Sequence, residues 1–147
     1  MSDKLWMEDF HVGDHIVSQE AIGVTADEIM AFGRLYDPQP GHISEETAQD
    51  SFFSGLAASG WHTAAITMRL LVDMGFTGVV GVNISLTWPT PTRPGDLLSL
   101  DLRVTSVRTS QSKPDRGIVE VEYDTLNQAG EVRQHTQATI MAFHRDH

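Results

Sequence analysis

The sequence predicts an α+β fold in which an antiparallel sheet wraps around one long central helix. Two patterns indicate it. The stretch from Gly55 to Phe76 is apolar on most sides, which is typical of a buried helix. From residue 79 onward, apolar residues alternate with small or polar ones, which is typical of half-buried strands. A chain of 147 residues can bury roughly 68% of its unfolded surface, so we expect one domain over residues 1–147.

Two short helices are predicted before the long one. Thr25 and Glu28 form a capping box, in which the Thr25 hydroxyl can accept from the Glu28 amide while Glu28 reaches back to Thr25. The helix should end near Tyr36, because Pro38 disfavours helical geometry at the residue before it. Ser44, followed by two glutamates in the first turn, starts the second short helix.

The long predicted helix, Gly55 to Phe76, carries charge only at Arg69 and Asp73. Its N-terminal half is rich in glycine and alanine, so neighbouring backbone can approach it closely. We therefore expect this helix to be buried and to begin against another part of the chain.

Five strands are predicted from the alternation of apolar residues. They are His15 to Val24, Val80 to Trp88, Leu98 to Val104, Val119 to Tyr123 and Val132 to Phe143. The turn between the last two is indicated by Asn127 to Gly130. The order of a strand, then helices, then a run of antiparallel strands is the outline of the hotdog fold.

Composition excludes several classes of function. The chain has no cysteine, which excludes disulfides, thiolate metal sites and a cysteine nucleophile. Its net charge of −10 opposes binding to nucleic acid or to an anionic membrane. No stretch approaches the roughly 20 apolar residues of a membrane span. The first ten residues include Lys4, Glu8 and Asp9 where a signal peptide is apolar, so we expect a cytoplasmic protein.

The segment from Tyr36 to His42 carries the most informative side chains. Two prolines stiffen a loop that holds Asp37 and His42 five positions apart. An aspartate and a histidine that converge on one point can hold a water between them and remove its proton. The spacing alone equally allows a turn-capping Asp37 and a surface His42.

The start of the long helix supplies a second candidate site. Helix N-termini expose unpaired amides, and Gly60 would let a ligand oxygen approach its N–H closely, as in an oxyanion hole for a thioester carbonyl. The alternative is a glycine required for tight packing of helix against sheet. His62, beside Trp61, is a candidate for the same site or a hydrogen-bonded structural histidine.

Three blocks of sequence resemble the MaoC-like dehydratases, which are relatives of the R-specific enoyl-CoA hydratases. The blocks are Asp37 to His42 (DPQPGH), Gly55 to Ala65 (GLAASGWHTAA) and Trp88 to Leu98 (WPTPTRPGDLL), and their order and spacing both agree with the family. The family's fold is a hotdog, usually dimeric, in which the acyl-pantetheine arm enters near the subunit interface. The resemblance covers nearly the whole chain.

The resemblance implies that Asp37 and His42 form the water-binding pair and that the Gly60 amide contributes to the oxyanion hole. Gln39, Ser59, Trp61, His62 and Arg93 are candidates for binding the substrate, and Arg93 could instead be a solvated surface charge rather than a contact for the CoA phosphates. The implied reaction is the reversible addition of water to a trans-2-enoyl-CoA, which gives a 3R-hydroxyacyl-CoA of fatty acid metabolism. A lyase of this kind needs no cofactor, and we expect a homodimer or a higher homo-oligomer.

The sequence departs from the commonest family motif at Gln39, Gly41 and Ser44, where the family more often has Asn, an apolar residue and Asp. It also has Met68 where hydratases of the family often place a serine on the helix. These changes leave the Asp37 and His42 pair intact. The missing hydroxyl bears on the preference for acyl chains.

Two other functions fit the same sequence. A hotdog thioesterase would direct water at the thioester carbonyl and release a free thiol. A catalytically idle subunit would bind acyl-CoA in support of an active partner, although such a subunit has no chemical need for both Asp37 and His42. We expect no metal site, because His144 and His147 at the chain end supply too few ligands.

Overall fold

The structure, a computed structural model, describes residues 2–146 and confirms the predicted α+β hotdog architecture. A 3-10 turn at Met7–Asp9 precedes ten helices and strands. In chain order they are β1 His15–Val17, β2 Ile22–Gly23, α1 Ala26–Tyr36, α2 Pro40–Ile43, α3 Glu45–Gln49, α4 Gly60–Asp73, β3 Val80–Thr87, β4 Leu97–Thr109, β5 Arg116–Leu126 and β6 Val132–Phe143.

All strand pairs in the sheet are antiparallel, in the order β1-β4-β5-β6-β3, and β2 also pairs with β4. Helix α4 contacts β4 and β6. The apolar core joins the C-terminal half of α4 to the inward-facing residues of the sheet. Its fully buried members include Leu98, Leu100, Leu102, Val119 and Ala142. The sheet therefore curves around α4, as the long apolar stretch predicted.

The two capping predictions are confirmed. The Thr25 hydroxyl accepts from the Glu28 amide at 3.1 Å, and the Glu28 carboxylate accepts from the Thr25 amide at 3.1 Å. Helix α1 ends at Tyr36, and the Ser44 hydroxyl caps α3 by accepting from the Thr47 amide. Two helical turns were not predicted, the 3-10 turn at Met7–Asp9 and α2, which begins at Pro40.

The helix is shorter than the predicted stretch from Gly55 to Phe76, since α4 spans Gly60–Asp73, and its start at Gly60 agrees with the helix start on which the second candidate site was based. The residues before it are tied across the molecule instead. The Ala57 amide donates to the Gly41 carbonyl, and the Ala58 amide donates to the Thr92 carbonyl. These bonds between distant segments compete with helix formation and hold residues 55–59 in a non-helical path.

The strand predicted from His15 to Val24 is two short strands, β1 and β2, because the chain leaves the sheet between them. Strand β3 also differs from its predicted half-burial. It lies at the edge of the sheet, and the side chains of Val80, Val82 and Ile84 are 46%, 58% and 47% exposed. Among residues 2–146, the helices are too short or too polar to cross a membrane.

Candidate active site

Asp37 and His42 converge where α1 gives way to α2. Asp37 directly follows the last residue of α1 as its C-cap, and Pro40 starts α2 two residues before His42. Gly33 allows the two helices to pack closely, because a Cβ there would overlap the carbonyl of His42. As a result, His42 Nε2 lies 3.6 Å from Asp37 Oδ2. The His42 ring is almost fully buried.

The tautomer of His42 follows from its other nitrogen. Nδ1 lies 2.6 Å from the carbonyl oxygen of Ala57, which can only accept a hydrogen bond. Nδ1 therefore carries the proton in the neutral ring, and Nε2 presents a lone pair toward Asp37. A water placed between Nε2 and the carboxylate could donate one hydrogen to each.

The Asp37 carboxylate is held by two further donors. The Ser59 hydroxyl donates to Oδ2 at 2.7 Å, and the Gln39 amide donates to Oδ1 at 2.7 Å. The hydrogen bond from Ser59, with those from Gln39 and the nearby charge of His42, lowers the pKa of Asp37 below its ordinary 3.8 despite partial burial. Asp37 is therefore a carboxylate at neutral pH. Ser59 and Gln39, both predicted to bind substrate, contact Asp37 directly.

Gly60 is the first residue of α4 and lies beside the pair. A Cβ at Gly60 would come within 2.6 Å of Cε2 of Trp88, so the tight-packing alternative for this glycine is confirmed. The role of its N–H in an oxyanion hole stays a prediction. Gly60 and His42 both line a pocket of 180 Å³, whose remaining wall consists of Phe52, Phe53, Ala58, Thr63, residues 88–92 and Arg133.

Trp61 and His62 diverge from each other. The Trp61 side chain is largely exposed, with its ring edge against Trp88 at a centroid distance of 5.3 Å. The His62 ring is buried and stacks on Phe32 of α1, at 4.8 Å and an interplanar angle of 7°. Its Nδ1 has no hydrogen-bond partner within residues 2–146. Burial lowers the pKa of His62, and the charge of Glu28 opposes this shift.

Arg93 holds the backbone in front of the site. Its guanidinium donates to the carbonyls of Phe53, Gly55 and Leu56, at 2.7, 3.0 and 3.2 Å. These contacts order the segment that leads to Ala57, the partner of His42. Binding of substrate by Arg93 stays a prediction, and its observed contacts are with the protein.

A buried ion pair beside the pocket, between Arg133 and Asp96, was not predicted from the sequence. Asp96 and Arg133 are 5% and 7% exposed, and Arg133 Nε donates to Asp96 Oδ2 at 2.9 Å. Arg133 also donates to the hydroxyl of Thr90, in the loop that lines the pocket. Residues 133–137 are all polar (RQHTQ), so the sequence of this strand has no alternation from which burial of Arg133 and Gln134 could be predicted.

No group of three or more histidine, aspartate or glutamate side chains is arranged to hold a metal ion in the part of the chain from residue 2 to residue 146. His147, considered above as a ligand, lies outside the described residues. The absence of a metal site stays a prediction.

Residues 9–127 match the family model of the MaoC like domain. The chain belongs to the MaoC-like domain family. This MaoC-like chain is 33% identical over 129 residues to the uncharacterized protein YdeM of Bacillus subtilis (strain 168), covering 83% of this chain and 87% of YdeM. The predicted family resemblance is confirmed.

Solved structures of MaoC-like proteins share the fold. The MaoC-like dehydratase from Rhodospirillum rubrum is 50% identical with a TM-score of 0.91, and the match covers 97% of this chain and 99% of that one. The R-hydratase PhaJ1 from Pseudomonas aeruginosa, in its unliganded form, has a TM-score of 0.77 at 19% identity, covering 97% of this chain and 88% of that one. At that identity, the likeness to PhaJ1 shows the fold alone.

Proposed function

We propose that this MaoC-like protein is an R-specific enoyl-CoA hydratase, which adds water reversibly to a trans-2-enoyl-CoA and forms a 3R-hydroxyacyl-CoA. The observation that carries the proposal is the geometry of Asp37 and His42. A carboxylate and an unprotonated imidazole nitrogen face each other at 3.6 Å beside an accessible pocket. Such a pair binds a water from two sides and accepts its proton.

His42 Nε2 is the base in the proposed reaction. A neutral imidazole is a stronger base than a carboxylate that accepts two hydrogen bonds, as Asp37 does. As the water oxygen bonds to C3 of the enoyl group, its proton passes to Nε2, and the adjacent Asp37 carboxylate stabilises the imidazolium. The C2–C3 π electrons move toward the thioester carbonyl. The imidazolium then returns a proton to C2, so atoms and charge balance.

The thioester oxygen gains negative charge during this addition. We assign its stabilisation to the N–H of Gly60 and the helix dipole at the N-terminus of α4, because Gly60 lines the same pocket as His42. Dehydration is the same path in reverse. Water addition to a carbon–carbon double bond is redox-neutral, so the proposal includes no cofactor.

We also propose that the protein works in the cytoplasm as a homodimer. Strand β3 pairs with β6 on one side only, and along it Val80, Val82 and Ile84 are exposed. An exposed apolar edge strand is suited to pairing with another strand, here that of a second copy. Sedimentation at micromolar concentration should give the mass of a dimer, and Val82→Glu should shift it to that of a monomer.

The hydratase proposal is tested with the full chain and crotonyl-CoA, followed by longer trans-2-enoyl-CoAs. Loss of the enoyl-thioester absorbance reports hydration, and a parallel assay measures free thiol. Chiral chromatography of the product should give the 3R isomer. Asp37→Asn should abolish the signal, whereas Asp27→Asn, the same substitution at an exposed position of α1, should keep it.

The other outcomes contradict the proposal. Thiol release that accompanies absorbance loss would make the protein a thioesterase. Absence of both signals at every chain length, with enoyl-CoA still bound, would make it an acyl-CoA-binding subunit. Equal activity of Asp37→Asn and Asp27→Asn would remove Asp37 from the reaction.

A further inference from the structure

Strand β6 carries a bulge close to the candidate site. Along β5 and β6 the register is Leu126 with Val132 and Thr125 with Gln134, so Arg133 is the extra residue. Residues 133 and 134 are both buried as a consequence, although neighbours on a regular strand face opposite sides. The bulge thus turns two consecutive polar side chains toward the interior.

Both side chains contact the segment 88–96, of which residues 88–92 line the pocket. Arg133 contacts Asp96 and Thr90, as described above. Gln134, 1% exposed, accepts through Oε1 from the indole N–H of Trp88 at 2.9 Å. Its own amide donates to the hydroxyl of Thr136 at 3.1 Å, which fixes the orientation of the Gln134 side chain.

The ring held by Gln134 lies against the start of α4. Three atoms of the Trp88 indole would be 2.6 to 2.8 Å from a Cβ at Gly60, so the ring covers the Cα of that glycine with no intervening space. Movement of the indole would therefore shift the backbone of Gly60, a residue that lines the pocket.

We propose that Gln134 is a positioning residue for the candidate active site, acting through Trp88 on the N-terminus of α4. The bulge at Arg133 turns the Gln134 side chain toward the indole. The hydrogen bond between Gln134 and Trp88 then sets the position of the Gly60 N–H. The predicted effect of Gln134 on kcat rests on the proposed hydration, whereas its predicted effect on the position of the Gly60 backbone does not.

The backbone consequence is tested by NMR of the 15N-labelled protein with Gln134→Met, which keeps side-chain length and removes the hydrogen bond. The indole N–H resonance of Trp88, assigned by its loss in Trp88→Phe, should move upfield, and the amide resonance of Gly60 should move with it. Gln137→Met, the same substitution at an exposed position of β6, should leave both resonances in place. A Gly60 resonance that stays fixed while the indole moves would overturn the proposal.

The rate consequence is tested with the same variants and the best enoyl-CoA. Gln134→Met should lower kcat about tenfold and leave KM within about twofold, because a displaced oxyanion donor acts mainly on the transition state. In the Trp88→Phe background, Gln134→Met should have little further effect on kcat, since the hydrogen bond is already absent. If Gln134→Met lowers kcat by the same factor in the Trp88→Phe background as in the wild type, Gln134 does not act through Trp88.

The two proposals fail in different ways. If the wild-type protein hydrates no enoyl-CoA, the proposed function fails, and the NMR measurement still decides whether Gln134 positions Gly60. If the wild type is active and Gln134→Met retains full kcat, positioning fails while hydration stands. Should Gln134→Met not fold, Trp88→Phe alone provides the kcat, KM and Gly60 amide measurements, with the same expected directions.

Discussion

Two buried histidines, His42 and His62, occupy contrasting surroundings on either side of the start of α4. Each is less than a tenth exposed. His42 has a carbonyl at one ring nitrogen and a carboxylate near the other. His62 is stacked on Phe32, and its buried Nδ1 has no partner within residues 2–146.

The contrast shows that burial by itself does not make a histidine a base. Burial favours the uncharged ring of His62. At His42, the Ala57 carbonyl fixes which nitrogen holds the proton of the neutral ring. Asp37 lies 3.6 Å from the other nitrogen and is placed to stabilise the charge after proton transfer. His62 has no hydrogen-bond partner at Nδ1 within residues 2–146, and the charge of Glu28 offsets the effect of burial only in part.

The largest expected effect is a difference between the same substitution at the two histidines. His42→Asn should lower kcat for enoyl-CoA hydration by about 10²- to 10⁴-fold, because the proton acceptor is lost. His62→Asn should change kcat by no more than about threefold in the folded protein. Steady-state kinetics on both variants, with circular dichroism as a check of folding, measures the difference. Similar losses at both positions would refute the assignment of the base.

The chemistry of the first region could be predicted in part from the sequence. The spacing of Asp37 and His42 in a proline-stiffened loop, with the family resemblance, predicted that the two would converge. The Ala57 carbonyl could not be predicted, because a backbone oxygen has no sequence signature and lies 15 residues from His42. Nor could the contact of Ser59 with Asp37 be predicted. The positions of the Ala57 carbonyl and of Ser59 both depend on the non-helical path of residues 55–59.

The fold could be predicted where neighbouring residues determine the structure, as in helix capping. It could not be predicted where hydrogen bonds to distant backbone groups compete with the local preference. The capping box at Thr25 fixes the start of α1 within a few residues, so sequence sufficed. Residues 55–58 have helical composition, yet the carbonyls of Gly41 and Thr92 bind their amides and delay the helix. Apolar alternation along β3 predicted burial, but burial there depends on what lies beyond the edge of the sheet.

A second test perturbs the His42 side of α4 through its backbone. Gly60→Ala places a methyl group against the Trp88 ring, so the ring or the helix start must move. We expect kcat to fall about tenfold and the free energy of unfolding to fall by about 1–3 kcal/mol. Gly23→Ala, where the new Cβ would have ordinary contact with Leu97, should leave kcat unchanged. Urea titration and kinetics measure both, and an unaffected Gly60→Ala would show that the packing there is loose.

A third test concerns the carboxylate that distinguishes His42 from His62. Ser59→Ala removes the hydrogen bond that contributes most to the low pKa of Asp37, so this pKa should rise toward 3.8. The carboxyl 13C resonance of Asp37, followed by NMR as the pH falls, should report this rise in pKa. We expect kcat to fall about fivefold at neutral pH, because Asp37 loses a hydrogen bond that orients it beside His42. Gln39→Leu should raise the pKa of Asp37 by less. An unchanged kcat in Ser59→Ala would separate Ser59 from catalysis.

The smallest expected effect is on the stability of the second region. Burial lowers the pKa of His62 below its ordinary 6.5, so between these two values the unfolded chain binds a proton that the folded chain does not. The free energy of unfolding should therefore decline as the pH falls below 6.5. This decline is complete once the pH is below the lowered pKa of His62 in the folded protein. His62→Phe, which can retain stacking on Phe32, should lose less stability than the wild type between pH 7.5 and pH 5.

Urea titrations of wild type and His62→Phe across that interval measure the difference, and the subtraction removes the contribution of the other histidines. The carboxylates whose pKa values are lowered, Glu8, Asp37 and Asp96, lose their stabilising contribution only as the pH falls below their ordinary pKa values of 4.5, 3.8 and 3.8, outside the interval. Parallel stability curves for the two proteins would mean that His62 acquires a partner when protonated, with Glu28 the charge that opposes its lowered pKa. His62 would then resemble His42 more closely than its neutral surroundings indicate.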